Sequence, residues 1–207
     1  MDKELQKRIL SSIIILPLSL FFIINGSIFF YFFLVILFLI ASYEWFKMIK
    51  KIEQKVFGIF FLLISFYTVY LTRDRGLVEF LMILIICIST DIGGYVFGKT
   101  FKGPKLTKIS PNKTYSGVIG GILLSILVTY LIVIIYDVNF FEDFNFVFFV
   151  FFISSVSQIG DLIISYFKRV SNVKDTGKLF PGHGGLLDRI DGMIFAFPFA
   201  LIISKTL

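Results

Sequence analysis

Between Asp161 and Gly192 the chain reads DLIISYFKRVSNVKDTGKLFPGHGGLLDRIDG, which holds four of its 14 acidic residues, five of its 20 Lys and Arg residues and its single histidine. Lys168-Arg169, Lys174-Asp175, Pro181-Gly182-His183-Gly184-Gly185, Asp188-Arg189 and Asp191 follow in close order. Lys and Arg suit phosphate oxygens, and glycines let backbone N–H groups approach an anion with no side chain in the way. Asp188 and Asp191, at i and i+3, project from one side of a helix start. Oxygen ligands of this kind suit a hard ion such as Mg²⁺, which takes one or two carboxylates beside substrate phosphates. The chemistry favoured is phosphoryl or nucleotidyl transfer, where positioning and charge neutralisation dominate.

Upstream residues extend the set. Ser154, Ser157, Asp161, Ser165 and Lys168 recur at spacings of three and four, which places them on one face of a helix. An ionised Asp inside a membrane span costs about 2.5–3.5 kcal/mol at the centre and needs a cation or water; a polar packing stripe is the plainer reading of the same pattern. Asp91 makes the same argument, with Tyr95 one turn on and Gly93, Gly94 and Gly98 nearby. The segment ISPNKTYSGVIGG at 109–121 offers Lys113, Thr114 and a glycine-rich helix start able to take an anion through its free N–H groups. It is not a P-loop, since G-x-x-x-x-G-K-[ST] is absent. Zinc is disfavoured because His183 has no second histidine or nearby cysteine, and no serine lies in a nucleophile-elbow pattern.

The elements that must carry these residues are membrane helices. A composition that is 57% hydrophobic, with 28 Phe and a mean hydropathy of +0.91, lies outside the soluble range. The apolar runs are continuous rather than alternating, so the spans are helices and not barrel strands. The charged opening MDKELQKRIL resembles the start of a secretory signal, but no A-x-A-like site follows and the apolar stretch resumes after Asn25-Gly26-Ser27. Ile9 to Tyr43 would be about 52 Å as one helix, too long for a ~30 Å hydrocarbon core. A break at Asn-Gly-Ser therefore predicts helices over 9–24 and 28–43, with Trp45 at the membrane interface.

Further spans are expected at 56–71, from 77 into 90–99, 118–136, 146–167 and 190–204, with a short turn at 72–76. The expected fold is all-α: a polytopic integral membrane protein of about seven transmembrane helices, forming a single domain over 1–207 with N-terminal helices to 76 and the chemistry in 77–207. Lys99, Lys102, Lys105, Lys108 and Lys113 follow the fourth span with no acid between them, whereas DVNFFEDFN has no Lys or Arg. That bias puts 99–116 and 168–189 in the cytoplasm and DVNFFEDFN outside. The net charge of +6 lies in segments flanking the spans, which speaks for orientation, anionic lipid and phosphate rather than nucleic acid. Cys87, the only cysteine, sits in an apolar run and reads as a small core residue.

Together these residues resemble the phosphatidate cytidylyltransferase family, the CDP-diacylglycerol synthases. The signature S-x-x-K-R-x4-K-D-x-G-x2-F-P-G-H-G-G-x2-D-R-x-D is met without a gap from Ser165 to Asp191, and the family's Asp with Gly-Tyr and I-S-P-x-K-T-x-x-G lie at Asp91–Tyr95 and Ile109–Gly117. Ser116 stands where many members have Glu. The resemblance implies transfer of CMP from CTP to phosphatidic acid with Mg²⁺, at a site facing the cytoplasm in the cell inner (plasma) membrane, by a homodimer. It implies metal binding by Asp161 and Asp175, then Asp188 and Asp191; phosphate contacts from Lys168, Arg169, Lys174 and Arg189; nucleotide contacts from Lys113 and Thr114, with Asp91 at the substrate site; and a phosphate loop of His183, Gly184 and Gly185. A CTP-dependent polyprenol kinase, which would move the γ-phosphate, and a cation transporter built on Asp91 and Asp161 are the alternatives left open.

Overall fold

The computed structural model describes residues 16–137, 143–179 and 184–204, with the side chains of 143 and 144 excepted. Eight helices occur among them: α1 (Leu16–Asn25), α2 (Ser27–Met48), α3 (Ile52–Arg75), α4 (Leu77–Phe101), α5 (Tyr115–Tyr136), α6 (Asp143–Val170), α7 (Leu187–Ile190) and α8 (Met193–Ile203). Helices α2 to α6 are long and apolar enough to cross a membrane. The protein is an all-α polytopic membrane protein. The described residues form two compact units, those up to Leu77 with Phe167–Ile190, and Val78–Tyr166 with those from Asp191 onward.

In the first unit, Gly26 has φ 61°, a left-handed conformation that glycine adopts freely, and this makes the predicted break between α1 and α2. Arg73 then donates to the carbonyls of Ile23 and Ile24 at 2.7 and 3.1 Å, closing the end of α1. The expected turn at 72–76 is thus a correction: through Arg75 it is the last turn of α3, and its arginine is a cap. Helix α2 also runs five residues beyond the expected 43, to Met48, because Glu44-Trp45-Phe46-Lys47-Met48 contains nothing that breaks a helix.

Trp45 is buried within its unit. It is 5% exposed, its indole N–H donates to the Gln54 carbonyl at 3.1 Å, and its ring meets Phe167 edge-on at 4.9 Å. Helix α2 packs on α3 and reaches α7.

In the second unit, glycines set the approach of α4 to α5. A Cβ on Gly93 would lie 2.7 Å from the Gly120 carbonyl oxygen and 2.9 Å from the Gly121 Cα. Thr90 donates to Ser154 at 2.8 Å, tying α4 to α6, and Phe80 packs on Phe197 at 5.2 Å, tying α4 to α8. The last expected span, 190–204, begins as the separate single turn α7, then bends at Asp191-Gly192 before the 11-residue α8. Gly93→Val should lower stability by about 1–3 kcal/mol through overpacking, whereas Gly76→Ala, with no atom within 4 Å of the new methyl, should shift it by less than about 0.5 kcal/mol. Thermal unfolding in detergent checks both, and equal midpoints would refute the close α4–α5 approach.

Candidate functional site

Helix α6 delivers Lys168 in its last turn, and Val173 N–H closes back on the Lys168 carbonyl at 2.9 Å. The chain runs past Lys174 and Asp175 to Thr176, and from Gly184 it enters α7. Asp188 holds this return together. Its Oδ1 accepts from Lys168 Nζ at 2.8 Å, and its Oδ2 accepts from Thr176 N–H at 2.8 Å, Gly185 N–H at 2.9 Å and the Thr176 hydroxyl at 3.1 Å. The two charged side chains are 12% and 6% exposed. Burial alone would push the Asp188 carboxyl up, but the hydrogen bonds from Lys168, Gly185 and Thr176, with the lysine charge, outweigh it and hold the carboxyl below its usual value.

A second carboxyl, unforeseen from sequence, lies on the other side of the turn. Glu44 of α2 is 4% exposed and accepts from Leu186 N–H, Leu187 N–H and the Thr176 hydroxyl, each at 2.9 Å. The signal was present: an acid inside the apolar run of α2 must find donors, the argument already applied to Asp91 and Asp161. The glycines make room for both carboxyls. Gly184 has φ 85°, and a Cβ there would stand 2.8 Å from Asp188 Oδ2; a Cβ on Gly185 would run into Glu44, Thr176 and the Gly177 backbone.

These contacts bear directly on the expected roles. Both Asp188 oxygens are engaged by protein donors, which makes this residue an anchor of the turn. The Gly185 N–H likewise meets the chain's own carboxylate rather than an open anion site. Arg169, Lys174, Asp175 and Arg189 are exposed, and Lys174 and Asp175 have no ion-pair partner among the described residues. Asp175 lies beside Gly184. His183 falls outside the described residues.

In the second unit the segment between α4 and α5 is pinned by a bridge between Lys105 and Thr114 and by Leu106 N–H on the Lys113 carbonyl at 2.8 Å. Thr114 is the N-cap of α5, its hydroxyl accepting from Gly117 N–H at 3.1 Å. This presents Lys113 to α6, where its ammonium pairs with Asp161 Oδ2 while Ser165 donates to Asp161 Oδ1 at 3.3 Å. The cation that a carboxyl in this span requires is therefore Lys113. Asp91 is exposed on α4, and Asp191 Oδ1 accepts from its neighbour Gly192 N–H at 2.9 Å.

Among the described residues no three His, Cys, Asp or Glu side chains converge as a metal cage. A hard cation such as Mg²⁺ needs only one or two carboxylates and completes its shell with phosphate oxygens and water. Asp175 is open to such a cation, and Asp161 shares its oxygens with Lys113 and Ser165.

Comparison with known proteins agrees with the resemblance in the signature. Residues 55–207 match the profile of the Cytidylyltransferase family. A phosphatidate cytidylyltransferase of Rickettsia bellii is 36% identical over 220 aligned positions, covering 98% of this chain and 93% of that protein. Proteins of the same name from Staphylococcus saprophyticus and Staphylococcus haemolyticus are 39% and 42% identical over 146 and 142 positions, covering 68% of this chain. The chain spans about half the length of these staphylococcal relatives, 54% in each case. With a matching profile over most of its length and a relative aligned nearly end to end, this chain belongs to the cytidylyltransferase family.

Proposed function

We propose that this protein transfers CMP from CTP to phosphatidic acid, giving CDP-diacylglycerol and pyrophosphate. The observation that carries the reading is the alignment over 98% of the chain with a protein named phosphatidate cytidylyltransferase. In the reaction an oxygen of the lipid phosphate attacks the α-phosphorus of CTP, a new P–O bond forms, and the bond from that phosphorus to the β-phosphate oxygen breaks. The lipid phosphate is already anionic near neutral pH, its second pKa being about 6, so no strong general base is needed.

The exposed cations Arg169, Lys174 and Arg189 are the proposed partners of substrate phosphates, where they offset charge developing on the leaving pyrophosphate. Lys113 steadies Asp161 and is available to nucleotide. Asp161 and Asp175 are each proposed as a Mg²⁺ ligand, and Mg²⁺ would supply charge neutralisation at the phosphates. We place the polar segments 99–116 and 168–189 on the cytoplasmic face of the plasma membrane, on the bias of their lysines, and infer a homodimer from the family resemblance.

Transfer from α-³²P-labelled CTP to phosphatidic acid, by detergent-solubilised protein with and without Mg²⁺, tests the proposal. Label is expected in the lipid only with Mg²⁺, and Asp175→Asn should lower the rate about a hundredfold. Label transferred from the γ-position instead would identify a lipid kinase. Absence of CTP binding together with ion flux in vesicles would identify a transporter.

A further inference from the structure

One cavity adjoins the turn that Glu44 and Thr176 hold. Its volume is about 380 Å³, and Leu39, Ile40, Tyr43, Lys47, Lys178 and Leu179 line it together with Glu44, Thr176 and Gly177. Its long wall is a single face of α2. Leu39, Tyr43 and Lys47 stand at i, i+4 and i+8, so over about 12 Å of helix the lining passes from aliphatic to aromatic to cationic.

That order matches a phospholipid read from acyl chain through the interface to phosphate. Lys47 and Lys178 are exposed, and neither pairs with a carboxylate among the described residues. The only acid in the lining, Glu44, is already committed to Thr176, Leu186 and Leu187.

We propose that this cavity docks the acceptor lipid, a diacyl phosphomonoester whose phosphate is met by Lys47 and Lys178 and whose first acyl methylenes lie along Leu39, Ile40 and Leu179. The inference rests on the reading that the acceptor is phosphatidic acid. Charge complementarity selects the phosphomonoester: it carries about −1.5 to −2 near neutral pH, against two ammonium groups with no carboxylate partner among the described residues, where a phosphodiester carries a single charge. The cavity holds the headgroup and the upper chain, and the rest of the lipid stays in the bilayer. Lys47 and Lys178 are thereby positioning residues for the acceptor, distinct from the groups proposed for CTP.

The test uses the full chain in mixed micelles. Binding of labelled dioleoyl phosphatidic acid is measured without CTP, beside phosphatidylglycerol and inorganic phosphate, and KM for lipid and for CTP are measured separately. Lys47→Gln and Lys178→Gln should each weaken phosphatidic acid binding and raise its KM about tenfold, leaving KM for CTP within about twofold. Lys47→Arg should restore binding to within about threefold, and Leu39→Trp, which fills the apolar end, should weaken lipid binding without touching CTP. An unchanged lipid KM in the double Gln variant, with transfer intact, would overturn the docking site and leave the proposed reaction standing. Lysine-dependent lipid binding with no label transfer would support the docking site while sinking the reaction. Equal binding of phosphatidylglycerol, or displacement of the lipid by an equal concentration of inorganic phosphate, would overturn the assigned occupant.

Discussion

Glu44→Ala should release the turn between Gly184 and Ile190 and lower stability by on the order of 3–5 kcal/mol. The substitution strands Leu186 N–H and Leu187 N–H, on residues that are 4% and 0% exposed, where neither water nor another acceptor compensates them. A buried donor left without its partner costs about 1–3 kcal/mol, and the space vacated by the side chain adds a cavity term. The Thr176 hydroxyl loses least, since it retains Asp188 Oδ2 at 3.1 Å. Glu44→Gln keeps one oxygen acceptor and turns an NH₂ toward the remaining donors, so it should fall between wild type and Ala. Thermal unfolding in detergent and amide exchange at Leu186 and Leu187 measure the effect. Unchanged exchange at both amides in the Ala variant would show that Glu44 does not hold the turn.

This arrangement explains how a segment so rich in glycine keeps a shape. Glu44 satisfies the first amides of α7 and Asp188 satisfies those of Thr176 and Gly185, so two carboxyls from different helices fix both sides of one turn. Lys174, Asp175 and Arg189, in contrast, are exposed. Glycine at 184 and 185 leaves room for the protein's own carboxyls.

Much of this was legible in the sequence. The apolar runs located every long helix, and Asn25-Gly26-Ser27 located the break, because glycine is the residue that tolerates the left-handed backbone found there. Helix ends were less legible. Polar residues such as Glu44, Lys47 and Arg73 continue a helix as readily as leucine does, so composition marks where lipid exposure ends rather than where hydrogen bonding ends.

The partners of the charged residues were the least legible. Lys113 and Asp161 are 48 positions apart, Glu44 and Leu187 143, and only the fold brings such pairs together. Asp188 and Asp175 are both aspartates in one motif, and nothing in the motif separates them, yet one is an internal anchor and the other is exposed.

That division makes the Lys168–Asp188 pair a test of its own. Asp188→Ala leaves a lysine that is 12% exposed without a counter-charge and strips Thr176 N–H and Gly185 N–H of their acceptor, so a loss of about 3–5 kcal/mol is expected. Lys168→Met should cost less, because Asp188 keeps three donors. Its signature is instead a change with pH. In the wild type the Asp188 carboxyl lies below its usual value, so its contribution to stability is complete above about pH 4 and is lost only as pH falls through the folded value. Removing the lysine leaves burial less opposed and the folded carboxyl rises toward its value in the unfolded chain, so the stability lost on acidification should shrink. Unfolding midpoints from pH 3 to pH 7 decide the matter: an acid limb as deep in Lys168→Met as in the wild type would mean that the lysine does not hold Asp188 ionised. At neutral pH neither profile should bend, since Asp188 stays ionised there in the folded wild type and in the unfolded chain alike.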